Sequence, residues 1–218
     1  MKIIPVIHHI NQELTFKNAD ICAESGAFGV FLISMEGYNS DIPMLSKKIK
    51  EKYPTLKVGF NLLGQQPLEA VEISLFYNLD MTWSDYHIVT SKKIHHQTQK
   101  ISDTIKKTSH MFFNSVAFKY QTIEENPGEA ALLSTEFGFT PTTSGVSTGV
   151  AADLNKIKTM KEAIGNKPLA IASGLTPLNV MDYSNYIEYG LVATGISKTF
   201  HELDQDLTKQ IVQLTQTN

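Results

Sequence analysis

The residues able to do chemistry in this chain fall at the ends of short apolar runs. They are His8 and His9, Glu36, Asn61, Ser84-Asp85 and Lys119, followed by three glycine-hydroxyl stretches: "TTSGVSTG" (142–149), "IASGLTP" (171–177) and "ATGIS" (193–197). An imidazole titrates near neutral pH, so His8 can act as general acid or base, or stay a hydrogen-bonded structural residue. Neighbouring strand residues point to opposite faces, and His8 shares a side with Ile4 and Val6, so His8 rather than His9 is the pocket member. Glu36 is placed to form an acid/base pair with His8. A divalent-metal role for Glu36 with Asp85 is the weaker idea, because no His-x-x-x-His or paired-carboxylate spacing accompanies them, and no metal is assigned. Lys119 is a Schiff-base amine, a proton carrier or a clamp on an oxyanion if partly desolvated; a lysine snorkelling from a strand end is the competing reading. "KKIHHQTQK" (92–100) reads as a polar helix facing water and is given no chemistry.

In the three late stretches, glycine lets the backbone turn sharply and approach a ligand closely, beside Ser and Thr hydroxyls. Such loops with a helix N-terminus can cradle an anion without arginine, and the competing reading is that the glycines only form turns. The expected substrate-binding set is Asn61, Asp85, Ser144, Gly145, Thr148, Gly149, Ser173, Gly174, Thr176, Gly195, Ile196 and Ser197. His8, Glu36 and Lys119 are the expected catalytic residues.

What must position them is an alternation of strands and helices. Strands are expected over 2–7, 28–34, 57–61, 80–83, 111–118, 139–142, 168–172 and 190–194, and helices near 15–25, 41–52, 67–78, 95–107, 127–136, 152–164, 177–186 and 201–215. Pro67 and Pro127 sit at first-turn positions, Thr176 before Pro177 reads as an N-cap, and Gly165 and Pro54 fall at helix ends. Eight such repeats predict a parallel (β/α)8 barrel, whose active site lies at the C-terminal ends of the strands, with phosphate bound after strands 7 and 8. A doubly wound open sheet fits less well: "IHHINQEL" after the first strand lacks the glycines of a dinucleotide fingerprint.

Composition agrees with one domain over residues 1–218: 42% of residues are hydrophobic, 19% charged, and no linker-like run breaks the chain. A net charge of −3 implies no general attraction to nucleic acid. Cys22 alone excludes an internal disulfide and reads as an inert buried thiol. No stretch has the length of a membrane span and the N-terminus does not read as a signal peptide, so a soluble protein is expected, with peripheral membrane attachment left open; the lone thiol points to a reducing, cytoplasmic setting, and the chemistry of these residues needs no cofactor. Barrels of this size commonly form homodimers.

"SGVSTGVAADLNKIKTMKEAI" and "KPLAIASGLTPLNVMDY" resemble the BtpA family, barrels akin in architecture to phosphoribosylanthranilate isomerase and other ribulose-phosphate-binding barrels. The matching residues are Ser144, Gly145, Thr148, Gly149, Ser173, Gly174, Thr176 and Asn179, with His8, Glu36, Asn61 and Lys119 agreeing more weakly. The chain departs after His8, where "INQELTFKNAD" replaces a longer proline- and glycine-containing segment, and at "MTWSDYHIV". The resemblance implies an enzyme acting on a small phosphorylated metabolite, a sugar phosphate or nucleotide. Its link to photosystem I biogenesis implies the alternative, a non-catalytic assembly factor that keeps the anion pocket.

Overall fold

A computed structural model describes residues 1–216. Eight parallel strands close into a barrel in sequence order: β1 (Lys2–His8), β2 (Gly29–Ile33), β3 (Lys57–Asn61), β4 (Met81–Ser84), β5 (Met111–Ser115), β6 (Thr140–Thr143), β7 (Ala170–Ala172) and β8 (Tyr189–Val192). Closure is made by β1 beside β8, with Ile4 opposite Leu191. The (β/α)8 expectation holds.

The helices start where local chemistry lets them. Asn11 caps α1 (Gln12–Glu24) by accepting from the Leu14 N–H, and Asp153 caps α6 (Leu154–Ile164) by accepting from the Lys156 N–H, each at 2.9 Å. Prolines occupy the first turns of α2 (Ile42–Lys52), α3 (Pro67–Phe76) and α5 (Pro127–Glu136), where their missing N–H costs nothing. α4 (Thr98–Ile105) and α7 (Gln205–Gln216) complete the ring.

Four expected elements differ. The helix expected over 177–186 is a single 3-10 turn, Val180–Tyr183. The Asn179 amide folds back instead, accepting from the Thr176 N–H at 2.8 Å and donating to the Gly174 carbonyl at 2.9 Å, and Asp182, Ser184 and Asn185 are poor helix formers. The stretch 92–97 is loop, with α4 beginning only at Thr98, and 197–204 is a strap across the barrel mouth before α7. β5 stops at Ser115 because Ala117 takes φ 49°, outside the strand region.

Alternation along the strands separates two cores. Ile4, Val6, Phe31, Ile33, Trp83 and Phe113 fill the barrel interior, with Phe31 edge-on to Phe113 at 5.2 Å; an outer shell of Ile, Leu and Val seals the helices to the sheet. Cys22 belongs to that shell, fully buried, its thiol pushed up by burial. His8 continues the inward side of β1. His9 faces outward, its Nδ1 2.7 Å from Thr15 Oγ1 of α1.

Candidate active site

The loops after β6, β7 and β8 meet backbone to backbone. Gly174, at φ 67°, passes so close to the β6 loop that a Cβ would lie 2.2 Å from the Ala151 nitrogen, and a Cβ on Gly195 would lie 1.9 Å from the Leu175 carbonyl oxygen. Any side chain at either point would drive the loops apart. Their upper surface, formed by Thr148, Gly149, Ser173, Gly174 and Thr194, is one wall of a cavity of about 170 Å³ at the barrel mouth. The backbone N–H groups of Gly149, Gly174 and Thr194 have no partner among the described residues. Unpaired amides at a cavity wall are the usual donors to an anion. The 3-10 turn Thr194–Ile196 is too short to add a helix dipole, so the expected helix N-terminus is replaced by loop amides alone.

The rest of the wall, from the β1, β4 and β5 ends, carries the ionisable groups: His8, Asp85 and Lys119 line the same cavity. His8 Nδ1 lies 2.9 Å from the Phe200 carbonyl oxygen. A carbonyl only accepts, so Nδ1 holds the proton and Nε2 keeps a free lone pair. Burial holds the imidazole below its ordinary pKa, partly offset by the Phe200 carbonyl. Asp85 accepts from Asn61 Nδ2 at 2.9 Å; burial raises its pKa, against the opposing pull of Asn61 and Lys119. Burial lowers the Lys119 ammonium, against the pull of Asp85. Burial thus shifts the two groups in opposite directions, each away from its charged form.

The Lys119 loop is held from β6 and α6. Ser144 Oγ accepts from the Lys119 N–H at 2.8 Å, Thr143 Oγ1 donates to the Ala117 carbonyl at 3.0 Å, and Lys156 Nζ donates to the Ala117 and Ser144 carbonyls at 3.1 and 2.5 Å. These bonds hold the positive φ of Ala117 and Tyr120 on either side of Lys119.

Of the expected residues, His8, Asp85, Lys119, Thr148, Gly149, Ser173 and Gly174 line the cavity. Asn61 is buried behind Asp85, and Ser144 behind Lys119. Gly145 lies off this cavity, in the neighbouring groove with Val146 and Lys156, where a Cβ would meet the Val150 carbonyl oxygen at 2.1 Å. Thr176 is tied to Leu178 and Asn179. Gly195 abuts Leu175, Ile196 is fully buried in the outer core, and Ser197 Oγ donates to the Ala193 carbonyl at 2.9 Å. Glu36 lies off the cavity wall, with Oε1 3.3 Å from His201 Nε2; the structure pairs it with His201 and gives His8 the strap.

Sequence reading missed that strap. The Phe200 ring stacks on His8 at 4.2 Å between centroids, and His201 Nδ1 lies 3.1 Å from the His8 carbonyl oxygen. It also missed Trp83, Tyr120 and Lys156. Trp83 had a findable signal: it sits two residues before Asp85 and therefore on the same inward side.

No protein-family model matches the chain, and no curated protein matches it in sequence. Solved structures do match in shape. A phosphoribosylanthranilate isomerase from Thermotoga maritima, described as monomers made from a dimeric enzyme, is 17% identical over 100% of both chains, with a TM-score of 0.70. A 3-hexulose-6-phosphate synthase is 13% identical over 98% of this chain and 99% of its own, with a TM-score of 0.75. A thiamine phosphate pyrophosphorylase from Pyrococcus furiosus is 11% identical over 99% and 95%, with a TM-score of 0.68. At these identities the likeness is one of fold.

Proposed function

We propose that the chain is an enzyme acting on a small phosphorylated metabolite by proton transfer, of the isomerase or lyase kind. The observation that carries the reading is the division of one cavity into two walls. Gly149, Gly174 and Thr194, whose amides are unpaired among the described residues, line that cavity together with three ionisable groups, His8, Asp85 and Lys119. A phosphate fixed on the first wall orients the reacting carbon against the second, and the fixed end supplies binding energy to the reacting end. His8 Nε2 takes the proton, and the Lys119–Asp85 pair stabilises or protonates the oxygen that becomes negative. The similar structures carry the names of enzymes of phosphorylated compounds, which supports the phosphate wall. A BtpA-like, one-domain, cytoplasmic homodimer without metal or cofactor completes the proposal; no helix among the described residues is long and apolar enough to cross a membrane.

A second reading, a binding or assembly factor using the same pocket, draws on the apolar side chains around the loops: Tyr120, Ile123, Val146 and Leu178 are each more than three-quarters exposed. Titration with inorganic phosphate in Lys119→Met and Asp85→Asn backgrounds, alongside turnover of a panel of small phosphorylated compounds that includes sugar phosphates and aryl phosphates, tests both. An enzyme loses turnover and keeps phosphate binding. A binding factor shows no turnover in any background.

A further inference from the structure

We infer that the phosphorylated ligand carries an aromatic ring and not a polyhydroxylated chain, an inference that rests on the phosphate reading above. Beyond the amide wall, the three ionisable groups and Tyr120, the cavity lining is apolar and includes Ile33, Leu63, Trp83, Phe118, Leu191 and Phe200. The polar atoms nearest that surface are already engaged. Trp83 Nε1 donates to Ser115 Oγ at 3.3 Å, so the indole offers the cavity only its ring. Ser173 Oγ donates to the Ser147 carbonyl at 3.1 Å, and Asp85 Oδ1 accepts from Asn61.

A ribose or longer sugar phosphate brings several hydroxyls, each of which loses water on entry and needs a partner. Outside the amide wall, His8 Nε2, Lys119 Nζ, the second Asp85 oxygen and the Tyr120 hydroxyl, whose oxygen already accepts from the Thr148 N–H at 3.3 Å, are what remains, and the first three the proposed chemistry requires. A ring needs none. The cavity of about 170 Å³ is close to the roughly 150 Å³ that holds a benzene molecule, and its open mouth leaves the phosphate at the rim, on Gly149 and Gly174.

Phe200 and Trp83 are the faces such a ring would meet. Phe200 sits in the strap, stacked on His8 with 14° between the ring planes and 44% exposed, so part of its surface is open to a ligand. Trp83 is held nearly edge-on to Phe118 at 6.1 Å, which fixes its face.

The test is calorimetric titration of the full chain with phenyl phosphate, ribose 5-phosphate, inorganic phosphate and phenol. Phenyl phosphate is expected to bind at least about tenfold more tightly than ribose 5-phosphate, and Phe200→Ala, a substitution on an exposed strap residue, to erase that preference. Ribose 5-phosphate binding as tightly as phenyl phosphate overturns the ring inference and leaves the phosphate reading standing. Failure of every phosphorylated compound, or phenol binding as tightly as its phosphate ester, overturns the phosphate reading and the inference together.

Discussion

The two walls of the barrel mouth are built on different principles. On the β6–β8 side, position is fixed by backbone packed on backbone: glycines at 174 and 195 leave no space for a side chain, and the wall presents amides and hydroxyls with no charge. On the β1–β5 side, position is fixed by side-chain hydrogen bonds: Phe200 to His8, Asn61 to Asp85, and Ser144 to the Lys119 backbone. A charge-free wall can hold an anion without adding charges of its own to shift the pKa values of His8, Asp85 and Lys119. Hydrogen-bonded supports let burial shift those pKa values while the groups keep their geometry. The proposed function gives binding to one side and chemistry to the other, and substitutions can separate them.

The largest effect is expected on the chemical side. Lys119→Met or Asp85→Asn should lower turnover of a true substrate by about 10²–10⁴-fold, with the dissociation constant for inorganic phosphate held within a factor of about two. Equal loss of phosphate binding would join the two walls into one functional unit. On the other side, Gly195→Val should destabilise the fold by about 3 kcal/mol or more, since its branched side chain must displace the Leu175 carbonyl, and should remove phosphate binding along with stability. A fully stable Gly195→Val protein would mean that the loops are not interlocked in solution.

Acid separates fold from chemistry. His110 lies beneath the barrel, its ring between the Leu79 carbonyl at 3.1 Å and Thr82 Oγ1 at 2.8 Å, and burial lowers its pKa to about 4. Between the ordinary value of 6.5 and about 4, the unfolded chain binds a proton there that the native chain does not. Stability should therefore fall with pH across that window, by about 3 kcal/mol in total. Urea midpoints from pH 7 to 4.5 measure this, and a His110→Asn protein should show a flatter dependence. The neutral, basic form of His8 persists below pH 6.5 because its pKa is also lowered, so the acid limb of turnover should lie below that pH. An acid limb above it would show His8 charged in the resting site.

The smallest effect is expected at the strap. Glu36→Gln removes the partially exposed pair with His201, and should cost under about 1 kcal/mol of stability. Turnover that falls as far as in Lys119→Met would place Glu36 back in the chemistry.

The barrel was legible because strand and helix periods alternate eight times with caps and prolines at the boundaries. The one helix that failed to form, 177–186, did so through an Asn179 side chain that competes for the backbone. The pocket membership of His8 followed from alternation along β1, and the glycine loops from their place after β6, β7 and β8. Three features escaped because they depend on distant partners. Glu36 meets His201 rather than His8, Phe200 covers His8 from nearly two hundred residues away, and Lys156 reaches back from α6 to the Ala117 carbonyl. Gly195 was expected to touch ligand. Its contact is the β7 loop, an effect of three-dimensional stacking that no local pattern carries.

The central claim, an anion seat made of loop amides, is tested most directly by backbone amide NMR shifts during titration with inorganic phosphate. The account predicts saturable shifts at Gly149, Gly174 and Thr194, with little change at the remote groove by His87 and Glu124. Saturable shifts confined to that groove, or an absence of any shift at those three amides, would contradict it.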